Sequence, residues 1–150
     1  MLKLNNKRAN KDIQSEELQK KNKIRILDKN TVLGIVKGPK NTPYYPGTWE
    51  VMVSFPEEYP WKSPSVGFRN SIYHPNIDLK SGSICLNVLN SNWSPIYTLS
   101  HIFDIFLPQL LTYPNPDDPL NIEAGKLFKI NPKQFNTVVK NRIFQNSLKN

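Results

Sequence analysis

Cysteine and histidine are scarce in this sequence, which has one cysteine, Cys85, and two histidines among 150 residues. A lone cysteine cannot form an internal disulfide, which favours a reducing compartment. One cysteine and two histidines also cannot supply the four ligands of a structural zinc site. We therefore expect a cytoplasmic or nuclear protein without structural zinc.

Long hydrophobic runs are missing as well. No apolar stretch approaches the ~20 residues that a membrane span needs, and the first residues, MLKLNNKRANK, lack the apolar core of a secretory signal. Hydrophobic residues make up 38% of the chain and charged residues 21%, a composition typical of a globular protein. We expect a single domain over residues 1–150 and no membrane partner.

Acidic residues are absent from residues 126–150, which hold 6 basic residues. Residues 1–40 hold 11 basic and 4 acidic residues, and residues 41–125 hold 3 basic and 8 acidic ones. The net charge of +8 therefore reflects two basic ends around an acidic middle. Nucleic-acid binding, a solvated basic helix and docking to an acidic protein all fit this pattern. Because no helix-turn-helix, zinc knuckle or RNP-type motif accompanies the charge, we expect no nucleic-acid partner.

Apolar periodicity predicts a helix followed by four strands. Residues 7–21 are polar with a thin apolar stripe, which indicates a helix. The strands are indicated by alternating or continuous apolar residues at 24 and 26, at 32–36, at 49, 51, 53 and 55, and at 66 and 68. No element is evident over 69–97, and a stretch of about 29 residues is either a wrong assignment or a functional loop. It contains Cys85, preceded by Gly82 and Ser83, whose backbone can approach a ligand closely.

Helical periodicity returns after residue 98, with a stripe formed by Leu99, Ile102, Phe103, Phe106 and Leu110. We expect Pro108 to kink or split this helix near Leu107. Asn121 and Asn131 are placed to cap two further helices, over 122–129 and from residue 132 onward. The order of elements predicts an α+β fold, with helices packed on an antiparallel sheet.

Neither histidine is a convincing base for Cys85. His101 lies two residues from both Leu99 and Phe103, so we expect it to face solvent, and we expect His74, before Pro75, to make structural hydrogen bonds. Cysteine hydrolases usually need a histidine base. A nucleophilic Cys85 should therefore act on an already activated acyl group, as in transthiolation. A buried, unreactive cysteine is the alternative.

The run YHPNIDLKSGSICLNVLNSNWSP (73–95) resembles the active-site signature of ubiquitin-conjugating enzymes. The likeness extends to GPKNTPYYPGTWEV, FPEEYPWKSPSV and YPNPDDPLN, and it covers roughly residues 8–148. The residues between Asn76 and Cys85, together with FLPQLLTYPNPDDPLN, are most similar to the branch that works with the multisubunit GID/CTLH ligase.

This resemblance implies a four-stranded antiparallel sheet with an N-terminal helix and C-terminal helices, and it implies an activity. Cys85 would accept the C-terminal glycine of ubiquitin from the thioester of the activating enzyme, which consumes ATP. The ubiquitin would pass to substrate lysines, usually with a RING-type ligase. No metal or organic cofactor is implied.

The resemblance also implies roles for single residues. Asn76 matches an asparagine that supports the oxyanion or holds the loop that does so, with a turn-capping residue as the alternative. Asp117 matches a gate residue that would orient the incoming lysine and help to remove its proton, with an exposed turn aspartate as the alternative. Asn87 stands where relatives often have aspartate.

Partner surfaces follow from the same resemblance. Trp61 and the loop with Pro95 and Ile96 match two loops that contact RING-type ligases. The basic first helix matches the surface on which the activating enzyme docks. Three other interpretations stay open: a non-catalytic ubiquitin-binding scaffold, conjugation of another ubiquitin-like modifier, and nucleic-acid binding.

Overall fold

The computed structural model describes residues 2–146, and it begins with two short helices, α1 (Lys7–Asp12) and α2 (Glu16–Asn22). The sequence predicts one helix over 7–21, which is wrong in this respect. The chain breaks because Ser15 is a better cap than a helix-interior residue: its hydroxyl accepts the Leu18 N–H at 3.2 Å, and two glutamates follow it in the first turn of α2. The first helix is capped in the same way by Asn6, which accepts the Ala9 N–H at 2.9 Å.

Four antiparallel strands follow in the order β1-β2-β3-β4. Their bounds are Arg25–Asp28, Thr31–Lys37, Thr48–Ser54 and Ser65–Phe68. In the ladder Val32 lies opposite Val53, and Val51 lies opposite Phe68, so buried side chains meet on one face. The predicted four-stranded antiparallel sheet is confirmed.

The sequence pattern suggested no regular structure over residues 69–97, but the segment contains some. Single bridges pair Gly67 with Ser83 and Ile77 with Ile84, and helix α3 (Leu86–Ser91) begins directly after Cys85. This short helix has little apolar periodicity to reveal it, since Leu89 is its one fully buried side chain.

A continuous helical stretch follows, made of α4 (Leu99–His101), a π-helical turn (Ile102–Phe106) and α5 (Leu107–Thr112). The predicted disturbance near Leu107 takes the form of this π turn, in which the Leu107 N–H donates to the Ile102 carbonyl. The wider turn accommodates Pro108, because the ring of a proline in a regular α-helix would clash with the carbonyl four residues before it. Phe103 rests on β2, where a Cβ at Gly34 would lie 2.6 Å from its ring.

Two helices complete the described chain, α6 (Ile122–Ile130) and α7 (Pro132–Asn146). Both predicted caps are present: Asn121 accepts the Ala124 N–H and Asn131 accepts the Gln134 N–H, each at 3.1 Å. The α+β class is therefore confirmed. The prediction of one domain over 1–150 also includes Met1 and residues 147–150, which lie outside the described residues.

Within residues 2–146, no helix combines the length and apolarity that crossing a bilayer requires. The same residues contain no group of three or more histidine, cysteine or acidic side chains that could bind a metal ion.

Candidate active site

Cys85 is half-buried and stands at the N-terminal boundary of α3. Its backbone N–H donates to the Asn76 carbonyl at 2.9 Å, and its own carbonyl accepts the Leu89 N–H at 3.1 Å. The thiol is therefore carried by a backbone that is fixed on both sides of the residue.

The loop before Cys85 is fastened to the edge of the sheet. The Gly82 carbonyl accepts the Phe68 N–H at 2.7 Å, and the Ile84 N–H donates to the Val66 carbonyl at 3.1 Å. Gly82 has a φ of +77°, and a Cβ there would lie 1.8 Å from the Phe68 oxygen. Only glycine fits this position. The close approach that the sequence suggested is thus to the backbone of β4.

Asn76 is fully buried and joins Cys85 to a second loop. Its Nδ2 donates to the Asn115 carbonyl at 2.7 Å, and its Oδ1 accepts the Asn115 N–H at 2.8 Å. The side-chain amide thus pairs with the backbone of one residue at both of its ends. Within the part of the chain described, Nδ2 has this one acceptor, so one of its two N–H groups stays unused. This geometry fits the loop-holding role more closely than direct contact with an oxyanion.

Asp117 belongs to the loop that Asn76 holds. The Asn115 side chain accepts the Asp117 N–H at 3.1 Å, so hydrogen bonds lead from Cys85 through Asn76 and Asn115 to Asp117. The carboxylate is 80% exposed and lies 2.9 Å from the Lys129 ammonium. Its neighbour Asp118 is also exposed and has no ion pair among residues 2–146. Asn115 and Lys129 were not candidates from the sequence, although the dense turn residues of YPNPDDP signal an ordered loop.

The two histidines differ. His74 is fully buried, its Nε2 lies 2.8 Å from the Leu110 carbonyl, and its Nδ1 accepts the Asn76 N–H at 2.9 Å. Burial lowers the pKa of His74 to about 4. The predicted structural role of His74 is confirmed, and both ring nitrogens are occupied.

The sequence suggested that His101 faces solvent, and the structure shows that it does not do so freely. It is half-buried and stacks on Tyr97, with ring centroids 3.7 Å apart. Partial burial lowers its pKa. Its position off the apolar stripe gave no sign of this contact, because Tyr97 precedes the helix.

The predicted docking residues lie on two neighbouring loops. Trp61 is 77% exposed and Ile96 is 81% exposed, whereas Pro95 is half-buried. Between them, the Trp93 ring is half-buried, and its Nε1 donates to the Pro60 carbonyl at 2.9 Å. Trp93 therefore ties the two loops together, while Trp61 and Ile96 project from them.

A shallow groove of about 190 Å³ lies between α3 and α5, lined by Val88, Phe106, Tyr113 and Asn115 among others. A larger groove of about 700 Å³ is lined by β3, β4 and the loop 79–83, and Cys85 does not line it. Cys85 lines neither groove and is partly exposed at the start of α3, where a macromolecular acyl donor can approach it.

Comparison with known proteins gives a consistent result. The family model described as "Ubiquitin-conjugating enzyme" matches residues 4–143. The chain is 54% identical over 103 residues to "Ubiquitin-conjugating enzyme E2-23 kDa" of Triticum aestivum, an alignment that covers 69% of this chain and 56% of that protein. It is 52% identical over 106 residues to "Ubiquitin-conjugating enzyme E2-24 kDa" of Saccharomyces cerevisiae, covering 71% of this chain and 49% of the relative.

Solved structures agree. A Plasmodium yoelii protein assigned as a ubiquitin conjugating enzyme superposes with a TM-score of 0.82 at 31% identity, and the match covers 95% of each chain. A ubiquitin conjugating enzyme domain of Toxoplasma gondii gives a TM-score of 0.78 at 29% identity, covering 88% of this chain and 93% of that one. The present chain spans about half the length of the sequence relatives that it matches. On the family match and these likenesses, the chain belongs to the ubiquitin-conjugating enzyme family.

Proposed function

We propose that this chain accepts ubiquitin as a thioester on Cys85 and transfers it to substrate lysines, usually with a RING-type ligase. The observation that carries the proposal is the position of the thiol. Cys85 stands at the start of α3, and its backbone is bonded to Asn76, whose amide is locked onto the loop of Asp117.

The first step is an exchange of thioesters. The Cys85 thiolate attacks the C-terminal carbonyl of ubiquitin, a carbon–sulfur bond forms, and the thiolate of the activating enzyme leaves. Such an exchange needs little proton transfer once the thiolate is present. The surroundings suit it, because His74 is buried with both ring nitrogens engaged.

The second step forms the isopeptide bond. The neutral amine of a lysine attacks the thioester carbonyl, the Cys85 thiolate leaves, and the lysine loses a proton. In this proposal Asp117 orients the amine and takes up its proton, or passes it to water. Asn76 keeps the Asp117 loop beside the nucleophile, or supports the negative charge that develops on the carbonyl oxygen.

Partners are proposed from the exposed surfaces. Trp61 and Ile96 offer two projecting apolar side chains to a ligase, and such side chains are frequent interface anchors. On the N-terminal helices, Lys7, Lys11 and Lys20 are exposed and suit an acidic face of the activating enzyme. Cytoplasm, nucleus or both are the proposed locations.

A narrower proposal concerns the ligase. The likeness of FLPQLLTYPNPDDPLN and of the residues between Asn76 and Cys85 to the GID/CTLH-linked branch supports that ligase as the partner. Discharge of the charged chain should then be accelerated by the RING subunits of that ligase more than by an unrelated RING domain. Equal acceleration by both would contradict the narrower proposal and leave the activity intact.

The activity is tested by incubating the chain with activating enzyme, ATP and a panel of ubiquitin-like modifiers, followed by non-reducing gels. We expect a reductant-sensitive adduct of one ubiquitin on the wild-type chain. Cys85→Ser should form a slower, reductant-resistant oxyester, because an alcohol is a poorer nucleophile than a thiolate.

Cys85→Ala is the matched control and should form neither adduct. Because Cys85 is the one cysteine of the chain, the absence of a reductant-sensitive adduct on the wild-type chain with every modifier would exclude the thioester. Charging with a different modifier and not with ubiquitin would keep the chemistry and change the substrate.

A further inference from the structure

Helix α1 and its N-cap residue Asn6 contact both loops that carry the exposed docking residues. The Asn6 side chain donates to the Tyr59 carbonyl at 2.9 Å, two residues before Trp61. Arg8 reaches the other loop, which contains Ile96. The two loops are therefore held by one short helix in addition to the bond between Trp93 and Pro60.

Arg8 holds the second loop in a specific way. Its Nη1 donates to the Pro95 carbonyl at 3.1 Å, and its Nη2 donates to the Tyr97 carbonyl at 2.6 Å. These are the residues on either side of Ile96, which is 81% exposed. One guanidinium thus fixes the backbone before and after Ile96, and the apolar side chain between them projects into solvent.

Asp12 fixes the guanidinium in turn. This buried carboxylate lies 3.1 Å from the Arg8 Nε, and its other oxygen accepts the Tyr59 hydroxyl and the Leu99 N–H. Arg8 also lies over the Tyr59 ring, 6.0 Å from its centroid. Three elements therefore converge on this ion pair: α1, the loop before Trp61 and the start of α4.

From this geometry we propose that Arg8 is a positioning residue for ligase recognition, acting through the backbone on either side of Ile96. The inference rests on the proposed function, because it concerns the surface assigned there to the ligase. Arginine is required by the arrangement, since a planar fork serves two carbonyls and a carboxylate at once, whereas a lysine ammonium cannot span all three. Arg8 acts within the molecule and does not itself touch the ligase.

The test uses Arg8→Lys, which keeps the charge beside the buried Asp12 and removes the fork. Three properties are measured: charging by the activating enzyme, the melting temperature, and discharge of the charged chain as a function of RING-domain concentration, which gives KM and kcat. The RING domain is one that accelerates discharge of the wild-type chain. We expect KM to rise roughly tenfold, as expected for loss of one charge-assisted hydrogen bond. The kcat and the charging rate should change less than about twofold.

Arg142→Lys is the matched control, because this arginine lies on α7, over the Tyr73 ring, and away from both loops. It should leave the KM for the RING domain unchanged. An equal KM for wild type and Arg8→Lys would overturn the inference. It would also be overturned if Arg8→Lys and Arg142→Lys both raised KM in proportion to their loss of melting temperature.

A double-mutant cycle separates positioning from direct contact. In an Ile96→Ala background, Arg8→Lys should have little further effect on KM, because the side chain that Arg8 presents is gone. Additive effects would mean that Arg8 meets the ligase itself, and the inference would be wrong. If the wild-type chain charges but no RING domain accelerates its discharge, both this inference and the ligase proposal fail. If the chain does not charge at all, the proposed function fails first.

Discussion

The loop that carries Cys85 and the loops that carry Trp61 and Ile96 are all irregular, but they are held in different ways. Around Cys85, backbone pairs with backbone and with the buried amide of Asn76. In the docking loops, side chains of α1 hold the backbone and the apolar side chains project outward. Under the proposed function, catalysis thus rests on buried polar contacts and ligase recognition on exposed side chains. The predictions below weaken one kind of support and leave the other intact.

Lowering the pH should reduce the free energy of unfolding through His74, which lies beside Asn76 in the catalytic region. This is the largest effect expected among these predictions. The unfolded chain binds a proton at the ordinary pKa of 6.5, whereas burial lowers the pKa of folded His74 to about 4. The stabilisation is therefore complete above pH 6.5 and is lost as the pH falls from 6.5 towards 4, by about 3 kcal/mol in total. Urea unfolding between pH 8 and pH 5 measures most of this loss.

Substitution of each histidine tests whether His74 causes this loss of stability. His74→Gln should be less stable at pH 8 but should lose much less stability between pH 8 and pH 5. His101→Gln should keep most of the loss, since His101 is half-buried. Parallel stability curves for wild type and His74→Gln would contradict the prediction.

Asn76→Ala should break the link between the nucleophile and the Asp117 loop. We expect charging to stay nearly intact and discharge to free lysine to slow by up to ~100-fold, because the Asp117 loop is released and any support of the oxyanion by the amide is lost with it. Single-turnover charging and discharge, each followed on gels, measure the two steps.

Asn115→Ala is the partial counterpart of this change, because it keeps the backbone pairing with Asn76 and removes only the bond from the Asp117 N–H to the Asn115 side chain. It should slow discharge far less. An equal loss of charging and discharge in Asn76→Ala would indicate a folding defect.

Asp117→Asn should reduce discharge to free lysine by roughly tenfold, since a carboxylate that orients and deprotonates the amine is removed. Charging should be spared. The neighbouring substitution Asp118→Asn serves as the comparison, because both carboxylates are exposed and, among residues 2–146, Asp117 pairs with Lys129 whereas Asp118 has no ion pair. A larger loss in Asp118→Asn would move the gate by one residue.

Asn87→Asp should give the smallest effect. Asn87 lies exposed in the first turn of α3, two residues after Cys85. An added carboxylate there disfavours the thiolate and attracts a lysine ammonium, but solvent weakens both effects. We expect alkylation of Cys85 by iodoacetamide at neutral pH to slow by roughly two- to threefold. Identical alkylation and discharge rates would show that side chain 87 has no influence on the thiol.

The sheet and the capped helices could be predicted because their signals are local. Apolar alternation marks β3, and Asn121 and Asn131 mark the starts of α6 and α7. The break before α2 and the helix α3 were missed because they lack a clear local signal in the sequence. Helices α2 and α3 are short, and α3 starts at Cys85, whose backbone N–H is fixed by the Asn76 carbonyl and not by a local sequence signal.

The site shows the same division. Cys85, Asn76, Asp117, Trp61, Pro95 and Ile96 were proposed from their resemblance to family motifs, and their catalytic and binding roles stay predictions. Asn115, Lys129 and Arg8 could not be found in this way. Their contacts join residues 39, 12 and up to 89 positions apart, and no periodic pattern encodes such pairs.

The π-helical turn at Ile102–Phe106 has a consequence for how this chain can tolerate changes in length. One extra residue in a regular helix would rotate everything after it by about 100° and carry the apolar stripe off the sheet. Here the wide turn absorbs that residue, so Leu99 before it, Phe103 within it, and Leu107 and Leu111 after it are all buried. The turn therefore lets a helix that is one residue longer keep both of its ends in place, one beside Tyr97 and the other before the Asn115 loop.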